Sequence, residues 1–210
     1  MKSRALALGL AAGLLATTAV AQLGVRKATF SWGGEKKDML RGTFEFKDAL
    51  DNATMKAKIS KGTTVTVLMR GYVIPNGGGD PIVLTAHTCT FVYDLWNEVY
   101  KVSVDGGSAK SKINMIGVHR ACTELVDHPI AERFRLKNGP SAYYLAVKVE
   151  VNPTDEKKIA QIKAWVTRPA GATGGISLGD ALFSTFVGLF MKNIPTADWT
   201  VDFRTAAFPP

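Results

Sequence analysis

The stretch from residue 82 to residue 104, IVLTAHTCTFVYDLWNEVYKVSV, constrains the fold more than any other part of the chain. It is rich in β-branched and aromatic residues, which favour strands. Because every second side chain of a strand points to the same side, His87 and Cys89 share one face. The stretch is longer than an ordinary strand. We therefore expect a turn or bulge near residues 94–97 and a second strand through Val99.

The expected turn combines acidic residues with a tryptophan. Asp94 and Asn97 are residue types that favour turns. Asp94 and Glu98 flank Trp96, and paired carboxylates can carry out acid–base catalysis or, together with Asp127, bind calcium. No EF-hand or glycine-rich acidic loop accompanies them. We therefore interpret this segment as a turn and expect Trp96 to pack in the core.

The rest of the chain alternates between two kinds of apolar periodicity. A period of two predicts strands at 27–32, 39–47, 63–74, 110–116, 133–136, 142–151 and from 199 onward. Helical spacing, with capping Asn52 and terminal Gly62 around the first helix, predicts helices at 53–61, 117–128, 153–168 and 176–194. No β-α-β rhythm indicates a parallel sheet. We expect a β-rich (α+β) fold, an antiparallel β-sandwich with about three peripheral helices.

The N-terminal residues 1–21 have the pattern of a secretory signal peptide. Lys2 and Arg4 are followed by an apolar run and by the small-x-small sequence Ala19–Ala21. The apolar run is short for a membrane span. We therefore expect a periplasmic or secreted protein, with residues 22–210 forming one β-sandwich-like domain.

Charge and motifs limit the classes of function. Removal of Lys2 and Arg4 with the signal peptide lowers the net charge from +8 to +6, and the remaining positive residues are scattered rather than concentrated in a stripe that would bind nucleic acid. A weak attraction to anionic membrane surfaces remains open. The chain has no nucleophile elbow, Walker loop, zinc-protease motif or dinucleotide fingerprint. We expect no enzymatic activity and no cofactor.

The two cysteines allow three exclusive interpretations: a disulfide, a metal site or free buried thiols. In an oxidising compartment, Cys89 and Cys122 are expected to form a disulfide. Alternatively, the His87-x-Cys89 pair on a strand and the His119-x-x-Cys122 pair on a helix supply four ligands for zinc or copper. The spacing matches no known zinc motif, and export favours oxidation. The disulfide is therefore the preferred prediction.

The helix predicted at 176–194 is strongly apolar and is a candidate surface for a partner or a lipid. Its polar positions include few basic residues, whereas helices that lie on membranes usually have a basic face. A core helix that covers one face of the sheet is the simpler interpretation. The candidate surface consists of Leu178, Leu182, Phe186, Leu189 and Phe190.

Three pieces of the chain carry a family resemblance: 93–100 (YDLWNEVY), 176–194, and 198–204 (DWTVDFR). With these pieces the chain resembles a group of exported Gram-negative bacterial proteins of unknown function. In that group a signal peptide precedes one β-rich domain. The resemblance implies location and architecture, and it assigns no functional residues.

Three functions remain as hypotheses. The first is an exported, non-enzymatic protein that binds a partner or a component of the cell envelope. The second is a small-molecule or lipid-binding module with a pocket between the sheet and the helix at 176–194. The third is a metal-binding protein that uses His87, Cys89, His119 and Cys122.

Overall fold

A central strand, β4 (Val65–Pro75), pairs with a neighbour on both sides and is buried along nearly its whole length. The computed structural model describes residues 23–33, 39–78, 81, 83–123, 126–129, 141–166 and 197–210. Strand β4 belongs to a seven-stranded sheet. Across the sheet lie β1 (Gly24–Arg26), β10 (Trp199–Thr205), β9 (Tyr143–Val151), β4, β5 (Val83–Asp94), β6 (Val99–Val104) and β7 (Lys110–Lys112).

Neighbouring strands of this sheet are antiparallel, except that β1 runs parallel to β10. A second sheet has three antiparallel strands in the order β2 (Ala28–Gly33), β3 (Met39–Phe44) and β8 (Val126–Pro129). The two sheets pack face to face, with the Phe44 and Phe203 rings 5.4 Å apart. The β-rich α+β fold predicted from the sequence is confirmed.

Three helices lie on the same side of the large sheet as the small sheet. They are α1 (Lys47–Leu50), α2 (Ala53–Ser60) and α3 (Met115–Thr123). Their buried residues belong to the same apolar core as the sheets. The predicted ends of α2 are confirmed, because the Asn52 side chain accepts a hydrogen bond from the Met55 N–H at 2.8 Å and Gly62 has a φ of +69°.

The fourth described helix, α4 (Glu156–Val166), covers the opposite face of the large sheet. Its Ile162 is buried in a smaller apolar cluster with Leu68 and Tyr72 of β4. In the described part of the chain, no helix combines the length and apolarity needed to cross a membrane.

Several predicted boundaries are wrong. The strand expected at 110–116 ends at Lys112, and α3 begins at Met115. The helix expected to continue through residues 126–128 ends at Thr123, because the chain there enters β8 and pairs with β3. The strand expected to reach Lys47 ends at Phe44, and Lys47 is instead the first residue of α1. Strand β1 was not predicted.

Other predictions fall outside the described residues. They are the signal peptide at 1–21, the strand at 133–136 and the helix at 176–194 with its candidate surface.

The turn at residues 95–98 is confirmed, but the prediction that Trp96 packs in the core is wrong. The carboxylate of Asp94 accepts hydrogen bonds from the backbone N–H groups of Trp96 and Asn97, at 3.0 and 3.1 Å. These bonds fix a tight turn beyond the end of the sheet. The Trp96 side chain therefore projects away from the core and is 95% exposed.

Charged residues are buried on the face of the large sheet that α4 covers. Arg70 of β4 and Glu150 of β9 are fully buried and form an ion pair at 2.6 Å. On the same face, Lys148 pairs with Asp202 of β10 at 2.8 Å. The large sheet therefore has one apolar face, towards the small sheet, and one face with paired charges.

The buried pair makes a first prediction. Glu150→Gln keeps the shape of the side chain but leaves the Arg70 guanidinium buried without its carboxylate. We expect a loss of about 3–5 kcal/mol in the free energy of unfolding, measured by denaturant titration. The matched control is Glu156→Gln on the exposed first turn of α4, which should cost well under about 1 kcal/mol. Equal effects of the two substitutions would contradict the prediction.

Candidate functional site

A cavity of about 370 Å³ lies between α1, α2 and α3 and the β5–β6 hairpin. Most of its walls are apolar. Leu50 of α1 and Ile59 of α2 form one wall and are largely buried. The mouth is exposed to solvent, since Ile116, Lys56 and other lining residues at this end are exposed. The cavity is lined by Lys47, Leu50, Asp51, Lys56, Ile59, Ser60, Tyr93, Tyr100, Met115, Ile116 and His119.

Two tyrosines of the β5–β6 hairpin form the base of the cavity. Tyr93 and Tyr100 lie directly opposite each other in the antiparallel pair, so their side chains are on the same face of the sheet. Their ring centroids are 4.9 Å apart. The pKa of Tyr100 is raised by burial and by the neighbouring Tyr93, so the phenol remains neutral and can donate a hydrogen bond.

A third wall comes from α3, which the disulfide attaches to the sheet. Cys122 of α3 and Cys89 of β5 are fully buried and bonded to each other, with their Cα atoms 5.4 Å apart. The predicted disulfide is therefore confirmed. It holds α3 beside the hairpin, so that Met115 and His119, four residues apart on one helix face, line the cavity.

His119 also connects α3 to the segment before α1. Its Nε2 accepts a hydrogen bond from the backbone N–H of Phe46 at 3.0 Å, and the two rings lie 4.5 Å apart. Burial lowers the pKa of His119, and the nearby Lys47 acts in the same direction, whereas Glu45 and Asp48 oppose it. The ring is therefore neutral at neutral pH, with its proton on Nδ1.

The mouth of the cavity carries more positive than negative charge. Lys56 pairs with Asp51 at 2.7 Å, and both side chains are largely exposed. Lys47 lines the same opening and pairs with the exposed Glu45 at 3.4 Å. Lys112 lies across from Tyr100 in the β6–β7 pair, so it is on the cavity side of the sheet. The ammonium groups of Lys47 and Lys56 and the carboxylate of Asp51 therefore line the mouth.

The four residues of the metal hypothesis do not form a ligand set in this structure. The two sulfurs are bonded to each other, so they are not thiolates. The ring of His119 is bonded to Phe46, and that of His87 to Asp105 at 2.7 Å. Within the described residues, no group of three or more His, Cys, Asp and Glu side chains is placed to hold a metal ion.

A second polar cluster consists of the Thr85 hydroxyl, the His87 imidazole and the Asp105 carboxylate, joined by hydrogen bonds. His87 lies between Thr85, at 3.2 Å, and Asp105. Burial raises the pKa of Asp105, but the bonds from His87 and from the N–H of Thr88 outweigh it, so the pKa is lowered. Thr85 is buried, and the adjacent cavity is about 10 Å³, the limit for one water molecule. This cluster therefore holds the turn after β6 and has no room for a substrate.

Sequence reasoning named one residue of this cavity, His119, and gave it another role. The helix at 176–194, beside which the sequence suggested a pocket, lies outside the described residues. The lining residues come from two chain segments, 47–60 and 93–119, and neither segment contains a local binding motif. The signal in the sequence was a tyrosine on each side of the predicted turn, Tyr93 and Tyr100, which antiparallel pairing places on one face of the sheet.

Comparison with known proteins assigns no function to this geometry. The chain matches no protein-family model, no curated protein and no solved structure. The resemblance to an exported bacterial group stays a prediction. A disulfide is typical of an oxidising compartment outside the cytoplasm.

The state of His119 makes stability depend on pH. Because its pKa is lowered on folding, the unfolded chain binds this proton more tightly, and acidification favours unfolding. We expect the free energy of unfolding to fall as the pH drops below about 6.5, the ordinary histidine value. His119→Gln, which retains an acceptor for the Phe46 N–H, should show a smaller decrease between pH 7 and 5. Identical pH profiles from chemical denaturation would contradict this role.

The disulfide makes a third prediction. Cys89→Ala with Cys122→Ala removes a bond that closes a loop with a sequence separation of 33. The chain-entropy relation gives a loss of about 3–4 kcal/mol in the free energy of unfolding. A reducing agent should destabilise the wild-type protein by a similar amount and leave the double variant unchanged. A wild-type protein that is insensitive to reduction would contradict the prediction.

Proposed function

We propose that this chain is an exported, non-enzymatic binding protein whose cavity takes a small apolar ligand with an anionic group, such as a single-chain carboxylate. The cavity of about 370 Å³ between α1–α3 and the β5–β6 hairpin carries the proposal. Its volume lies at the lower end of the range for small-molecule sites. That size suits one acyl chain or one ring system rather than a lipid with two chains.

The residues that form the walls of the cavity support an apolar part in the ligand. Leu50, Ile59, Tyr93, Tyr100 and Met115 present aliphatic and aromatic surface. Transfer of a methylene group from water to such a surface contributes about 0.8 kcal/mol. The flexible thioether of Met115 suits contacts with chains of different shape.

Charge at the mouth supports the anionic part. Lys47 and Lys56 line the opening and pair with the exposed carboxylates of Glu45 and Asp51. Lys112 lies on the same side of the sheet. A carboxylate at the mouth gains charge-assisted hydrogen bonds from the ammonium groups while its chain occupies the cavity. Export is supported by the signal-peptide pattern at 1–21 and by the disulfide.

Met115 offers a matched test of the proposal. Glu and Gln have similar shapes, and Glu is favourable at the first position of α3, where the helix dipole attracts a negative charge. We expect Met115→Glu to weaken decanoate binding at least about tenfold, or about 1.4 kcal/mol, because it places an anion beside the ligand. Met115→Gln should change the affinity by no more than about threefold.

Isothermal titration with decanoate and with decanol measures both effects. Decanol has the same chain without the charge, so we expect it to bind the wild-type protein more weakly than decanoate. Absence of decanoate binding to the wild-type protein, or equal effects of Met115→Glu and Met115→Gln, would contradict the proposed function.

A further inference from the structure

Four large apolar side chains are exposed around the mouth of the cavity. They are Leu95, Trp96, Ile113 and Ile116, exposed by 56%, 95%, 83% and 70%, and we call them the apolar rim. The other two large apolar residues with high exposure in the described chain are Val25 and Trp199, on strands at the far side of the large sheet. The exposed apolar surface is therefore concentrated at one end of the molecule.

Strand register brings the rim together. Leu95 and Trp96 lie in the turn that joins β5 to β6, just beyond the Asp94–Val99 pair. Ile113 directly follows β7, in which Lys112 pairs with Tyr100, so it leaves the sheet at the same end as the turn.

The cavity places the fourth rim residue, Ile116, and the α2–β4 connection gives a second contact for Leu95. Ile116 lines the cavity with Tyr93 and Tyr100. Leu95 lies beside Gly62 at the end of α2, because a Cβ on that glycine would come within 3.5 Å of the leucine side chain. The rim therefore lies next to the mouth, at the tip of the hairpin and at the start of α3.

Lysines flank the rim. Lys61 precedes Gly62, and Lys110 and Lys112 lie on β7 beside the hairpin. The stem of Lys112 extends along α3, because its Cβ is 3.3 Å from the position of a Cβ on Gly117. Long basic side chains that lie along apolar surface keep their charge at the boundary with water. Two acidic residues flank Trp96: Asp94, whose oxygens accept the turn's own hydrogen bonds, and Glu98, which is exposed in the turn. The three lysines outnumber them.

We infer that the apolar rim docks on the surface of an anionic lipid bilayer and presents the mouth of the cavity to it. A tryptophan at the tip of a turn, with aliphatic residues beside it and lysines behind, matches the layering of a membrane interface, where aromatic rings sit at the headgroups. Anionic headgroups attract lysines that lie near the bilayer surface. The inference rests on the proposed function, since it makes the bilayer the source of the single-chain ligand.

Vesicle flotation tests the inference with the oxidised protein. The probes are vesicles of phosphatidylcholine with phosphatidylglycerol in a 3:1 ratio, and vesicles of phosphatidylcholine alone. We expect at least about tenfold stronger binding to the anionic vesicles. Trp96→Ser should reduce that binding at least about tenfold, whereas the matched control Trp199→Ser, on the distant strand β10, should change it by less than about twofold.

A second matched pair tests the charges. Lys110→Gln with Lys112→Gln should remove most of the preference for anionic vesicles. Lys27→Gln with Lys157→Gln removes the same charge from exposed positions away from the rim and should leave the preference intact. Equal losses in the two double variants, or in the two tryptophan variants, would overturn the inference.

Decanoate titration separates this inference from the proposed function. Trp96 does not line the cavity, so Trp96→Ser should bind decanoate as the wild-type protein does. A protein that binds decanoate but not anionic vesicles overturns the docking inference alone. A protein that binds vesicles through Trp96 but not decanoate overturns the proposed function alone. A Trp96-dependent dimer without vesicle binding would show that the rim contacts a second copy of the chain instead.

Discussion

The pairing of β4 with both β5 and β9 is the constraint on which the rest of the structure depends. Each ladder fixes which side chains of three strands point to which face. One face receives Val67, Met69 and their neighbours and is covered by the small sheet and α1–α3. The other receives Arg70 and Glu150, whose pairing at 2.6 Å tolerates only this register. A slip by one residue would expose the apolar face and separate the buried charges.

The cavity exists because the large sheet extends further than its cover. The small sheet packs over the large one through contacts such as Phe44–Phe203, and its strand β8 reaches β5. The end of the β5–β6 hairpin that carries Tyr93 and Tyr100 lies under the cavity instead. Short helices rather than a third layer cover that part of the hairpin. Tyr93 and Tyr100 thus lie under a gap between α2 and α3. Ligand binding and membrane docking, as proposed, both use the region where the sandwich is incomplete.

Sequence reasoning succeeded where structure is local and failed where it depends on distant segments. The alternation of 142–151 and the cap at Asn52 are local signals, and both were predicted. The cysteine pair allowed more than one interpretation, and the preferred one, a disulfide, is confirmed. Helix α1 has four residues, too few for a periodic signal. The prediction for Trp96 was wrong because an apolar residue type indicates burial only where the backbone directs the side chain towards the core, and this turn directs it outward. The cavity has no contiguous motif, since its walls meet only through tertiary packing.

The disulfide divides the lining of the cavity into two halves, one inside the covalent ring that it closes and one outside that ring. The covalent ring closed by Cys89 and Cys122 contains Tyr93, Tyr100, Met115, Ile116 and His119, together with the whole apolar rim. The opposite half, α1 and α2, lies outside this ring and is held by packing and by the bond from Phe46 to His119. Within the described residues, the two halves of the cavity are therefore joined by packing, such as that of Leu95 beside Gly62, and by one hydrogen bond to an imidazole, with no cross-link between them.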